Sequence, residues 1–152
     1  MTLSAWLVCG DVTGDDEDFL RQAIALAATA RAAGQAPYGS LLVGPDGAVL
    51  ATEYNTVLAD RDVSAHPELK LARWAARELD PQVAAGTTMY TSCQPCGMCT
   101  GAIDRSGLGR VVYAMSSEQF ARLYPASSFP SVSQEGPALL AETRAVLDGY
   151  EK

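Results

Sequence analysis

"TTMYTSCQPCGMCTGAIDRSGLGRVVYAM", residues 87–115, decides how this chain folds. The β-prone run TTMYTS follows Gly86, and a second run, GRVVYAM, follows the turn at Gly107 and Gly109. Between them PCGMCTGAIDRS reads as a short helix, with Pro95 marking its start. Strand, helix and strand in succession normally cross over in parallel, so the stretch predicts one parallel pair with a helix on its face. It also holds three of the four cysteines, Cys93, Cys96 and Cys99, each three positions from the next.

Working upstream, PELKLARWAARELD is rich in helix formers and opens on Pro67, so a helix starts at or just after His66. Before it, SLLVG and AVLATEYN flank Pro45-Asp46-Gly47, the turn chemistry of an antiparallel hairpin. From Asp15 to Ala33, Phe19, Leu20, Ala23, Ile24, Ala27 and Ala30 recur at helical spacing, with acids in the first turn and Gly34 as the stop. Downstream, SEQFARLYP and PALLAETRAVLDGY read as helices, with PASSFPSVSQ between them as a loop or flap. The predicted order is α-β-β-α-β-α-β-α-α. That order gives an α/β fold, a mixed sheet of four or five strands sandwiched by helices, in a single domain over residues 1–152.

At 152 residues and 48% hydrophobic, the chain can bury about 70% of its unfolded surface without disulfides. LSAWLVCG near the N-terminus lacks a basic flank and runs into the acidic DDED, so neither a signal peptide nor a membrane span is expected. The expected location is the cytoplasm, where clustered cysteines bind metal or do chemistry more often than they pair. Eleven Lys and Arg stand against 18 Asp and Glu, a net charge of −7, and the basic residues are scattered singly. Such a surface repels polyanions, which points to small-molecule partners and away from nucleic acid.

The only histidine, His66, stands two residues before Glu68. A catalytic zinc takes three protein ligands of the imidazole and thiolate kind and leaves its fourth position to water. His66, Cys96 and Cys99 supply that set for one Zn²⁺ per chain. One helical turn separates Cys96 from Cys99, and the positive end of their helix favours thiolates. A carboxylate at Glu68 beside the open position can accept a proton from water and return it to substrate, whereas a closed structural site has no use for it. The competing arrangement is a structural zinc clip with Cys93 as fourth ligand; otherwise Cys93 is a packed free thiol.

His66-Pro67-Glu68 followed by Pro95-Cys96-Gly97-Met98-Cys99 resembles the H-x-E and P-C-x-x-C signature of the zinc-dependent nucleobase deaminases. APYGSLLVGPDGAVLATEYN is similar to the Pro-Phe-Gly segment and hairpin of that superfamily, with Tyr38 in place of Phe. MYTSCQPCGMCTGAI looks closest to its guanine deaminase and related free-base branches. The resemblance implies a cytidine-deaminase-like three-layer α/β/α sandwich with the two metal-bearing helices side by side, and a homodimer. It implies that Asn55 hydrogen-bonds the base ring, that the Ala65 carbonyl accepts from the departing amino group, and that Glu118, Phe120, Tyr124 and Phe129 lie where relatives close over the base. The expected reaction is hydrolytic deamination of a free nucleobase or related heterocycle, of guanine, cytosine or amino-triazine type. A tRNA adenosine deaminase and a non-catalytic zinc-binding module are the alternatives. Three residues depart from the pattern: Pro67 where Ala is usual, Gln94 where Glu is common, and Lys70 where the family places a small or apolar residue. Lys70 is expected either to pair with a carboxylate or to lie on an outward face.

Overall fold

The computed structural model describes residues 11–125 and 132–150. Helix α1 (Gly14–Ala32) leads into the hairpin β1 (Gly39–Val43) and β2 (Val49–Tyr54). Two short helices, α2 (Val57–Asp60) and α4 (Pro81–Ala85), flank α3 (Pro67–Glu78). Then come β3 (Thr88–Cys93), α5 (Gly97–Ser106), β4 (Arg110–Met115), α6 (Ser117–Leu123) and α7 (Leu140–Leu147). Four strands form one mixed sheet in the order β2-β1-β3-β4, with β1 antiparallel to both neighbours and β3 parallel to β4.

Strand alternation divides the core into two layers. Leu41, Val43, Tyr90 and Val112 point to one face and meet Leu20 and Ala23 of α1. Leu42 and Met89, one position out of phase, point to the other and meet Leu71, Ala72 and Ala75 of α3 and Ile103 of α5. The result is the expected three-layer sandwich. On α1 the buried stripe is Leu20, Ala23, Ala27 and Ala30; Ile24 falls beside it and is 50% exposed. Gly39 is where α1 comes closest to the sheet: a Cβ there would lie 2.5 Å from the Ala27 nitrogen, so only glycine fits.

Two features differ from the sequence expectation. Helices α2 and α4, four and five residues long, are too short to display a hydrophobic period. Pro95 does not start α5: Cys96 is the N-cap, with extended backbone at φ −69° and ψ 171°, and Gly97 is the first helical residue. Phe129 and most of the PASSFPSVSQ segment lie outside the described residues, while 132–150, including α7, are exposed throughout.

One buried ionic cluster ties the start of α1 to the far edge of the sheet. Asp16, the third helical residue in a capping box with Thr13, receives a two-pronged bond from Arg110 at 2.8 and 3.0 Å and a 2.6 Å bond from the Tyr90 hydroxyl. The Arg110 guanidinium, against the cost of burial and with help from Tyr90 and Thr13, holds the Asp16 carboxyl well below the usual carboxylate range. Burial and the Asp16 charge push Tyr90 up to about 12. Since the folded-state value of Asp16 is depressed, its stabilisation is present above the unfolded carboxylate range and is lost as pH falls toward the folded value. Asp16→Asn is therefore expected to lose about 2 kcal/mol at pH 7, less than a fully buried pair because Arg110 keeps 43% exposure. Denaturant titrations from pH 7 to pH 3 should show that deficit shrinking as the parent protein loses stability in acid.

Candidate metal centre

Two helix N-termini meet beneath the sheet. His66 is the N-cap of α3, with Pro67 at the first helical position and Glu68 at the second; Cys96 is the N-cap of α5, with Cys99 one turn in. Pro67 suits its place because its missing N–H would have no partner in the first turn. The extended backbone of Cys96 lets its side chain fold back over the helix start. His66 Nδ1 lies 3.7 Å from Cys96 Sγ and 3.5 Å from Cys99 Sγ, and the two sulfurs are 3.6 Å apart.

Those spacings fit a tetrahedral zinc ion. With Zn–S of about 2.3 Å and Zn–N of about 2.0–2.1 Å, a tetrahedron separates two sulfurs by roughly 3.8 Å and a sulfur from a nitrogen by roughly 3.6 Å. All three observed distances fall within about 0.2 Å of these values. Cys99 is fully buried, and burial, the Glu68 charge and neighbouring Cys96 push its thiol well above its ordinary range. A divalent cation held between the two sulfurs would favour the thiolate, because its charge reverses the local balance. Among the described residues, His66, Cys96 and Cys99 are the group whose donor atoms converge in this way.

Cys93 stands outside that group. It is half-buried at the end of β3, and burial followed by the Glu68 charge raises its thiol. Cys93→Ser is accordingly expected to keep one zinc per chain with affinity changed less than about threefold, read by metal analysis and competition with a chelator. A variant emptied of zinc would restore the closed structural clip.

Glu68 is 5% exposed, with Oε1 accepting a 2.9 Å bond from the Thr91 hydroxyl and Oε2 lying 3.8 Å from Cys99 Sγ. A cavity of about 300 Å³ is lined by Glu68 and His66 together with Cys93, Gln94 and Cys96 and with Tyr38, Ser116, Ser117, Phe120 and Ala121. No Lys or Arg is among these lining residues. The rings of Tyr38 and Phe120 are 6.3 Å apart, and Tyr124 packs on Phe120 at 5.1 Å. Gln94 Oε1 accepts from the Ser117 N–H at 2.9 Å and so anchors the start of α6 over the cavity. Glu118 points elsewhere, exposed and paired with Arg122.

Asn55 and Ala65 are buried beside the site but are not among the cavity's lining residues. The Asn55 carbonyl oxygen accepts from the Val57 N–H at 3.1 Å, which turns the side chain so that its NH₂ has donors to offer a ligand. The Ala65 carbonyl takes one bond, from the Thr56 N–H at 3.1 Å, and keeps a second lone pair. Lys70 does pair with a carboxylate: its ammonium is 2.7 Å from Glu53, 2.8 Å from the Tyr54 carbonyl and 3.1 Å from the Thr56 hydroxyl. It thereby clamps the strand end on both sides of Asn55 to the helix that carries Glu68.

Residues 13–115 match the family model of the cytidine and deoxycytidylate deaminase zinc-binding region. A probable cytosine deaminase of Schizosaccharomyces pombe is 33% identical over 140 residues, 90% of this chain and 79% of that protein. The guanine deaminase of Bacillus subtilis is 38% identical over 99 residues, 64% of this chain and 63% of the relative. Its X-ray structure superposes with a TM-score of 0.63 at 29% identity, covering 90% of this chain and 96% of the other. A tRNA-specific adenosine deaminase of Haemophilus influenzae is 33% identical over 101 residues, 66% of this chain and 58% of that enzyme. The chain thus spans less than two thirds of several curated relatives, down to 9% of a chloroplastic tRNA(adenine(34)) deaminase of Arabidopsis thaliana.

Proposed function

The chain belongs to the cytidine and deoxycytidylate deaminase zinc-binding family, and from that premise we propose that it hydrolytically deaminates a free nucleobase or a related amino-bearing heterocycle. Guanine, cytosine and amino-triazines are the candidate types. The observation that carries this reading is the cavity lined by His66, Glu68, Tyr38 and Phe120: about 300 Å³, with no Lys or Arg among the described residues that line it. Ligand pockets run from about 300 to 1,000 Å³, so this one is at the small end, and it offers a phosphate no counter-charge. Two aromatic walls suit the faces of a flat heterocycle.

His66, Cys96 and Cys99 would hold the zinc, whose Lewis acidity, when bound, makes water a nucleophile at neutral pH. Glu68 would carry both protons of the attacking water: the first goes to the ring nitrogen as the oxygen adds to the ring carbon, and the second, from the hydroxyl so formed, goes to the amino group as the C–N bond breaks. Ammonia departs and the ring carbon keeps an oxo group. Asn55, through its NH₂, orients the ring by donating to an acceptor on the base, and the Ala65 carbonyl receives the N–H of the departing group. The chain acts without nucleic acid, in the cytoplasm and as a homodimer.

Ammonia release by the zinc-loaded chain, measured across free bases, their nucleosides and tRNA, tests the proposal. Release from at least one free base, faster than from its nucleoside, is the expected result. Release from tRNA alone would establish a tRNA adenosine deaminase, as the Haemophilus relative is named, despite a net charge of −7 that disfavours phosphate contacts. No release from any of them, with one zinc per chain in place, would leave a binding module.

A further inference from the structure

Behind Glu68, on the side away from the cavity, two hydroxyls stand in a layer that is otherwise apolar. Ser40 and Thr91 are directly paired across β1 and β3, and the next pair along the same ladder on the same face is Leu42 with Met89. Both hydroxyl residues are 0% exposed. Ser40 Oγ lies 2.8 Å from Thr91 Oγ1, which lies 2.9 Å from Glu68 Oε1.

The direction of this chain of bonds is fixed by counting protons. A carboxylate oxygen only accepts, so the single proton of the Thr91 hydroxyl goes to Glu68 Oε1. Thr91 then has only lone pairs to offer, and the Ser40 hydroxyl must donate to it. Among the described residues no buried side-chain nitrogen or oxygen lacks a partner, so the relay is complete.

We propose that Thr91 and Ser40 are positioning residues for Glu68. Their relay keeps one carboxylate oxygen occupied and confines proton transfer to the other, the oxygen on the Cys99 side. The inference rests on the proton-carrying role of Glu68 given above. It also explains why polar side chains stand where the strand period calls for apolar ones: a buried hydroxyl is costly unless bonded, and here each bond leads to the carboxylate.

A valine and serine pair of substitutions at 91 separates this from packing. Thr91→Val keeps the shape and removes the donor; Thr91→Ser keeps the donor and removes a methyl. In the zinc-loaded full chain, with the base identified by the panel above, Thr91→Val should lower kcat by about 10-fold to 100-fold with KM within about twofold. Thr91→Ser should stay within about threefold of the parent, and Ser40→Ala should lose about 3-fold to 10-fold in kcat. A fully active valine variant beside an impaired serine variant would overturn the proposal in favour of packing. A second arm needs no turnover: crystal structures of zinc-loaded Thr91→Val and its parent. Glu68 rotated or split between two orientations in the variant is expected, and an unmoved carboxylate would overturn the relay. Should the parent deaminate nothing, the functional reading fails on that result, and the relay stands or falls on the crystallographic arm.

Discussion

Glu68→Gln is expected to lower kcat by about 10³-fold to 10⁴-fold while leaving one zinc ion bound per chain. The amide has the shape of the carboxylate and can still accept from Thr91 through its oxygen, so the fold and the relay behind it survive. What disappears is the acceptor on the Cys99 side, where an NH₂ group cannot take a proton from water. His66, Cys96 and Cys99 do not depend on Glu68 for their spacing, because each is placed by the start of its own helix. Zinc content and thermal stability should therefore match the parent, and the loss should appear in kcat with little change in KM. A variant turning over at the parental rate would remove Glu68 from the chemistry and leave it a buried carboxylate at a helix start, the structural role such residues commonly have.

The second large effect concerns the metal. Cys99→Ala removes the one ligand that is fully buried, leaving a nitrogen and a single sulfur from two different helices. Affinity should fall by more than the 10-fold to 100-fold typical of losing an outer contact to a metal ligand. The readout is thermal. Zinc at about 100 times its Kd stabilises a folded chain by about 2.7 kcal/mol, which for this length corresponds to a Tm shift of roughly 5–10 °C. A chelator should produce that drop in the parent and none in Cys99→Ala. Equal chelator sensitivity in both would mean that Cys99 does not hold the ion.

Much of this architecture could be read from the chain because it is written in local periods and turn chemistry. Helix α1, the hairpin around Pro45-Asp46-Gly47, and the strand, helix and strand of 87–115 each announce themselves within a few residues. The group that could hold a metal was legible for a different reason: one histidine and a pair of cysteines a turn apart leave few other combinations. Helices α2 and α4 escaped because four or five residues carry no period. The N-cap position of Cys96 escaped because Pro is tolerated both at and just before a helix start, and only the backbone angles distinguish the two.

The relay and the cavity wall were hidden more deeply. Ser40 and Thr91 are 51 residues apart and meet only through the β1 and β3 register. The signal was present in principle, as two hydroxyls at positions whose strand neighbours two residues away, Leu42 and Met89, face the α3 and α5 layer. Reading it required knowing that those strands pair. Phe120 could be noted as an aromatic after the last strand, but its place over the cavity depends on Gln94 holding the start of α6, a contact between residues 23 apart in sequence. Lys70 was ambiguous for the same reason: its partners Glu53, Tyr54 and Thr56 belong to another element.

X-ray absorption at the zinc edge of the metal-loaded chain tests the central claim most directly, because it counts the sulfurs around the ion. Two sulfurs at about 2.3 Å and two lighter nitrogen or oxygen neighbours at about 2.0–2.1 Å are expected. Three sulfurs would contradict it, since Cys93 would then close the position that the chemistry requires to be open.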